Sequence, residues 1–217
     1  MNTTTAPPAG DQDEHRSAGP QYEMRPLITD ADRATAAALV DDRARQFAAC
    51  GITLPHRHIA AYRDAWAEGV GLYEDDAAGE ERLLGCLMLH RRHEQHPRIE
   101  DEDGPCLGIS LFYTAVGLSE RYGWLITLWA SDFAARAGAT RVYAEAPSPA
   151  SGAATDPLLD YLQSLGWLVT GTGSNRDGEL VERLRLNAQE RDGLSGLITC
   201  AVPLDAPRPA HGIGALR

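Results

Sequence analysis

The chain of 217 residues contains no lysine; all 20 of its basic residues are arginine. That absence excludes a Schiff-base lysine, a pyridoxal-phosphate aldimine and a phosphate-loop lysine, each of which needs the primary amine. Cysteine is scarce too. Cys50, Cys86, Cys106 and Cys200 are far apart and form no CxxC pair. They read as small core residues of a reduced, cytoplasmic protein. No apolar run approaches the ~18 residues a membrane span needs. Residues 1–20 lack the apolar centre of a signal peptide. Positive charge is in deficit: 20 basic against 31 acidic side chains leave a formal charge of −11. Nucleic acid and anionic lipid repel such an anion at long range, so neither is an expected partner.

What is present suits one globular domain: 43% hydrophobic and 24% charged residues, in a chain long enough to bury a core without staples. Residues 1–20, rich in Thr, Pro, Gly, Asp and Ala, read as a disordered N-terminal tail; residues 205–217, with Pro207 and Pro209, read as a C-terminal tail. The folded body is residues 21–204. A strand over 22–27 leads to Thr29, a helix N-cap with Asp30 and Asp32 in the first turn. Ala36, Val40 and Phe47 share one face of that helix, which ends at Gly51. A second helix follows Pro55, with Ile59, Tyr62 and Trp66 on one stripe and Gly69 as its stop.

Strands follow at 70–73, 83–89 and 106–116, the first two joined by a hairpin turn over 75–79. The run Leu83-Leu84-Gly85-Cys86-Leu87-Met88-Leu89 is continuously apolar, as for a strand covered on both faces. A third helix carries Leu125, Trp129 and Phe133 as its stripe and closes at Gly138. After a strand at 141–146, Asp156-Pro157 starts a fourth helix with Leu158, Leu162 and Leu165 packing and Gly166 as its stop. Strands at 167–170 and 197–204 end the body; residues 179–191 suit either a helix or an irregular loop. The fold class is α/β, a mixed central sheet flanked by helices in the order β-α-α-β-β-β-α-β-α-β-β.

The joint at residues 116–125 carries the chemistry. A strand end, a polar loop and a helix start bring free backbone N–H groups and the positive end of the helix dipole together, which suits an anion. The same stretch also suits an ordinary right-handed crossover. His90, His93 and His96, with His56 and His58 elsewhere, lack the converging ligand set of a zinc site, so no metal is expected. Gly171-x-Gly173 imitates a dinucleotide fingerprint but has Arg176 at the third glycine position. The acidic run at 100–103 reads as a solvated loop, or as an attractor for a cationic amine.

The order of elements resembles the GNAT superfamily of N-acetyltransferases over about residues 22–204. The resemblance rests on two helices after the first strand, a three-strand meander, a loop opening the third helix, and a fourth helix ending Leu165-Gly166-Trp167 before a strand. Against the family loop Gln/Arg-x-x-Gly-x-Gly/Ala, Gly123 matches, while Glu120 and Leu125 stand at the other two positions. Tyr161 lies one residue earlier than the family's tyrosine.

The resemblance implies acetyl-CoA, or another acyl-CoA, as cosubstrate and a small amine as acceptor, with no metal. The pyrophosphate would lie on Arg121, Tyr122, Gly123, Trp124, Leu125 and Ile126. The pantetheine arm would run beside Thr114, Ala115 and Val116. Ser110, Phe112 and Tyr113 would position substrate. Glu145 is the candidate base and Tyr161 the candidate acid, for an amine attacking the thioester directly. Three alternatives stay open: a module of this fold that binds a ligand without transfer, a different reaction on the same scaffold, and a homodimer as the assembled form.

Overall fold

The computed structural model describes residues 22–49, 51, 53–75, 80–91, 104–117, 119–148 and 157–205. Both expected tails up to residue 21 and beyond residue 205, Cys50, the turn residues 76–79, His93, His96, the acidic run at 100–103 and Asp156 lie outside the described residues.

Thr29 caps the first helix as its position implies. Its hydroxyl accepts the Asp32 amide at 3.0 Å, and the Asp32 carboxylate takes the Thr29 amide in return at 3.0 Å. The pair satisfies donors that a helix start leaves open. In chain order the elements are β1 (Tyr22–Pro26), α1 (Asp30–Ala49), α2 (His56–Arg63), β2 (Gly69–Asp75), β3 (Glu81–His90), β4 (Cys106–Thr114), α3 (Ser119–Arg136), β5 (Arg141–Pro147), α4 (Pro157–Ser164), β6 (Leu168–Ser174), β7 (Leu180–Asn187) and β8 (Ile198–Cys200). The strands form one sheet in the order β6-β7-β5-β4-β3-β2-β1-β8. Pairing is antiparallel from β1 through β4, parallel between β4 and β5, and antiparallel from β5 through β7 to β6; β8 runs parallel to β1.

Two cores flank the sheet. On one face Ala36, Ala37 and Val40 of α1 and Tyr62 of α2 pack on Leu27, Tyr73, Cys86 and Met88. On the other, Leu125, Trp129 and Phe133 of α3 and Leu162 of α4 pack on Leu84, Leu87, Val142 and Leu184. Leu83 to Leu89 of β3 are buried throughout, as their unbroken apolar run requires. Trp129 and Phe133 stack with centroids 4.9 Å apart, worth about 0.5–1.5 kcal/mol beyond the area they bury.

Three elements differ from the expectation. The open stretch at 179–191 contains the strand β7, which pairs with β5 and adds a strand to the expected order. Its alternation is masked because arginines occupy one face, while the buried Glu182 sits on the apolar one. There the hydroxyls of Ser148 and Thr172 each donate to Glu182 at 2.8 Å. Second, α2 stops at Arg63, since Asp64 turns extended and its carboxylate accepts the Trp66 amide at 2.9 Å. Trp66 therefore leaves the stripe and stands 90% exposed. Leu158 likewise is exposed rather than packed. Third, the final strand shortens to β8, which pairs with β1 for three residues, before Pro203 removes a donor. Gly171 and Gly173 lie inside β6, so they form no phosphate loop.

Candidate functional site

The sheet opens in its middle. β4 and β5 pair only from Cys106 opposite Arg141 to Gly108 opposite Tyr143. Beyond that point β4 carries an extra residue: Cys86 and Met88 of β3 face Tyr113 and Ser110, two steps against three. Leu111 takes up the difference with φ 49, a left-handed conformation that costs a side-chain-bearing residue about 1–2 kcal/mol. Such a bulge bends its strand out of the ladder. The Tyr62 hydroxyl of α2 donates to the Leu111 carbonyl and holds the bulge in place. The result is a wedge between residues 109–114 and residues 144–147.

Arg43 of α1 fastens the far end of β4. It is 9% exposed; its Nη2 donates to the Thr114 hydroxyl at 2.8 Å and to the Ala115 carbonyl at 3.1 Å, and its Nε donates to the Thr114 carbonyl. Burial draws the guanidinium's pKa below its usual value, and an arginine there still carries its charge. Thr114 is thus spoken for on both its oxygens. Ala115 continues the sheet, its amide donating to the Leu84 carbonyl at 2.7 Å; Val116 is exposed.

Gly117, at φ 87, turns the chain from β4 into α3. A helix leaves its first four N–H groups unpaired, so in α3 the free donors start at residue 119. Residues 121–126, expected as a loop, form the first two turns of the helix. Tyr122 is buried, and Leu125 and Ile126, each 1% exposed, point into the core. Trp124 faces outward. The Arg121 guanidinium sits 5.5 Å from the centroid of the Tyr22 ring, and that ring meets Tyr122 edge-on at 6.4 Å.

The Tyr161 side chain of α4 reaches Gly123 of α3, 38 positions away in the chain. A Cβ on Gly123 would strike the Tyr161 hydroxyl, so the missing side chain admits the phenol beside the first turns of α3. Glu145 is half-buried on β5. Its neighbours Ala144 and Ala146 pack into the core under α3 and α4, which places Glu145 on the opposite face of the sheet. The two candidate catalytic residues therefore flank the wedge from its two sides.

Polar pairs line the α1–α2 side. Ser110 bonds His90 Nε2 at 2.7 Å, and Tyr113 bonds His58 Nδ1 at 2.6 Å. Burial keeps the Tyr113 phenol well above its usual range and pushes the Cys86 thiol up to about 12. Desolvation, aided by the Arg57 charge, lowers His58. Phe112 packs the other way, against the core under α3. Arg57 of α2 ties this wall to the β6–β7 turn through Glu179 at 2.6 Å and Asp177 at 3.2 Å. His58 and Arg43 were not in the expected site. His58 has spacing as its one signal, lying four before Tyr62 on α2 so that both face β4; Arg43 has none. Among the described residues no group of three or more His, Cys, Asp or Glu could hold a metal ion, and no helix is long and apolar enough to cross a membrane.

No family model and no curated protein matches the sequence. Solved structures match the backbone. FeeM, an N-acyl amino acid synthase from uncultured soil microbes, aligns with a TM-score of 0.52 at 15% identity, over 78% of this chain and 92% of that one. The fold is GNAT-like. The ribosomal-protein-S18-alanine N-acetyltransferase from Escherichia coli aligns at 0.49 with 13% identity, over 78% and 96% of the two chains. The spermidine N-acetyltransferase from Vibrio cholerae aligns at 0.48 with 13% identity, over 77% and 94%. At these identities the GNAT-like likeness is one of backbone architecture.

Proposed function

We propose that the chain is an acyl-CoA-dependent N-acyltransferase, with acetyl-CoA as donor and a small amine as acceptor. The observation that carries this reading is the wedge between β4 and β5 opening beside the N-terminus of α3. The pyrophosphate would rest on the free amides there, with Arg121 adding charge. Pantetheine would add to the unpaired edge of β4 around Phe112, Tyr113, Thr114, Ala115 and Val116. Ser110 and Tyr113 would position the acceptor from the α1–α2 side.

In the reaction the amine nitrogen bonds the thioester carbonyl carbon, and the carbon–sulfur bond then breaks. Glu145 takes the ammonium proton. The leaving thiolate has a pKa near ~8.5 by analogy with cysteine and needs little help, so Tyr161 as acid matters less than Glu145. A second reading, a binding module of the same fold, is favoured by Glu120 and Leu125 standing where the family has Gln or Arg and Gly or Ala.

The test is release of free thiol from acetyl-CoA against a panel of amines, with the acylated product confirmed by mass. We expect Glu145→Gln to cut kcat/KM by ~10²-fold or more and Tyr161→Phe by less than ~10-fold, on the usual scale of acid–base contributions. Binding of acetyl-CoA without transfer to any amine would favour the module. A crippling Tyr161→Phe with a silent Glu145→Gln would reverse the roles.

A further inference from the structure

We propose that Ser110 and His90 form a nucleophile–base pair that takes an acyl group from an activated ester or thioester and releases it to water. The thioester arm rests on the acyl-transfer reading above; the pair itself stands on separate observations.

The Ser110 hydroxyl lies 2.7 Å from His90 Nε2. Other serine hydroxyls of the chain are tied to oxygen. Ser131 donates to the Asn187 carbonyl at 2.8 Å, Ser164 to the Tyr161 carbonyl at 2.6 Å and Ser148 to the Glu182 carboxylate at 2.8 Å. A carbonyl oxygen is no base for a serine proton. A neutral imidazole is one, and a serine within hydrogen-bond reach of it is the signature of an activated nucleophile.

The strands seat this pair at the place where the sheet parts. Gly108 of β4 stands opposite His90 of β3. A Cβ on Gly108 would lie 3.2 Å from His90 Cβ and 3.8 Å from its Cδ2, so the missing side chain leaves the imidazole room over β4. Gly108 is also the last residue of β4 that pairs with β5. Ser110 follows two positions later on the same face, half-buried, just past the end of that pairing. Its partner on β3, Met88, belongs to the core under α1 and α2, which puts Ser110 on the α1–α2 side of the wedge. The next residue, Leu111, holds the left-handed φ of 49. Backbone strain of this kind collects at reactive sites, where it fixes the aim of a side chain.

The reaction balances with water as the one co-reactant. Ser110 Oγ bonds the acyl carbonyl carbon while its proton passes to His90 Nε2. The bond to the leaving oxygen or sulfur breaks, and that atom takes the proton. Past Gly108 the edge of β4 has parted from β5 and offers backbone N–H groups to the carbonyl oxygen as it gains charge. Water then bonds the same carbon, gives its proton to Nε2 and displaces Ser110 Oγ, which recovers a proton. The products are a carboxylic acid and an alcohol or thiol; nothing is oxidised or reduced.

The experiment uses the full chain, two donors (p-nitrophenyl acetate and acetyl-CoA) and no amine. A chain without lysine offers acyl donors no side-chain amine to label, so peptide mass after acid quench reads acetyl on Ser110 cleanly. Nitrophenol or thiol release reads turnover. We expect acetyl on Ser110, and release that falls by ~10²-fold or more in both Ser110→Ala and His90→Gln. Ser110→Cys should still be acylated, and His90→Gln should flatten the rise of release with pH; thermal transitions check that each variant folds. Nitrophenol release that does not depend on Ser110, or none at all, would overturn the proposal. So would acetyl found on cysteine or the N-terminus with Ser110 bare. If acetyl-CoA acylates amines while neither donor acylates Ser110, the pair falls and the transferase reading stands. If p-nitrophenyl acetate acylates Ser110 and acetyl-CoA does not bind, the donor reading falls and the pair stands.

Discussion

His58 shows how a single side chain couples the site to pH. Its Nδ1 meets the Tyr113 hydroxyl at 2.6 Å, and burial raises the phenol. The imidazole is drawn below its ordinary 6.5 chiefly by desolvation and then by Arg57 on its own helix, while Glu179 and Asp177 of the β6–β7 turn pull the other way. With the folded pKa below the unfolded one, the unfolded chain binds more protons on acidification. The stabilisation is fully present above pH 6.5 and is lost as pH falls through the folded value. Urea melts from pH 7.5 down to about 5 should therefore show wild-type stability falling more steeply than that of His58→Gln. Parallel curves would remove His58 from the pH response. Glu179, lowered by its Arg57 and Asn175 partners, acts in the same direction but below its ordinary 4.5, in a separate window. Neither His58 nor Arg43 was legible as a site residue, because each is defined by a partner about 55 to 72 positions away in the chain.

Among elements, α4 touches α3 where Tyr161 lies against Gly123. The phenol's Cζ and Cε1 would lie 3.1 and 3.3 Å from an added Cβ, and its oxygen closer still. Gly123→Ala should cost about 1–3 kcal/mol as overpacking. Tyr161→Phe removes only the oxygen, so the double variant should recover part of the loss, with a coupling of about 1 kcal/mol in a double-mutant cycle. Additive losses would mean that the two helices adjust independently. The long elements were readable: β3 because both of its faces are buried, and α3 because Leu125, Trp129 and Phe133 recur at helical spacing. β7 was not, since Arg183 and Arg185 break the apolar pattern on the uncovered face and Glu182 breaks it on the covered one. The bulge at Leu111 has no signature in the sequence; leucine at φ 49 is imposed by the tertiary bonds around it.

Across the whole molecule, one sheet serves two sides. Antiparallel strands β1–β4 and the group β5, β7 and β6 meet at a short parallel seam that opens after three residue pairs. α3 and Tyr161 lie on one side of that opening. α2, His58, Glu145 and the β7 arginines lie on the other. On the proposed reading acyl-CoA enters from the α3 side, and isothermal titration of the full chain with acetyl-CoA checks this. Saturable binding with one site per chain is expected, weakened by about 1–3 kcal/mol in Arg121→Ala through loss of a charge-assisted bond to phosphate. Unchanged affinity in Arg121→Ala would remove that residue from the site, and absence of any binding by the wild-type chain would rule out acyl-CoA as the donor.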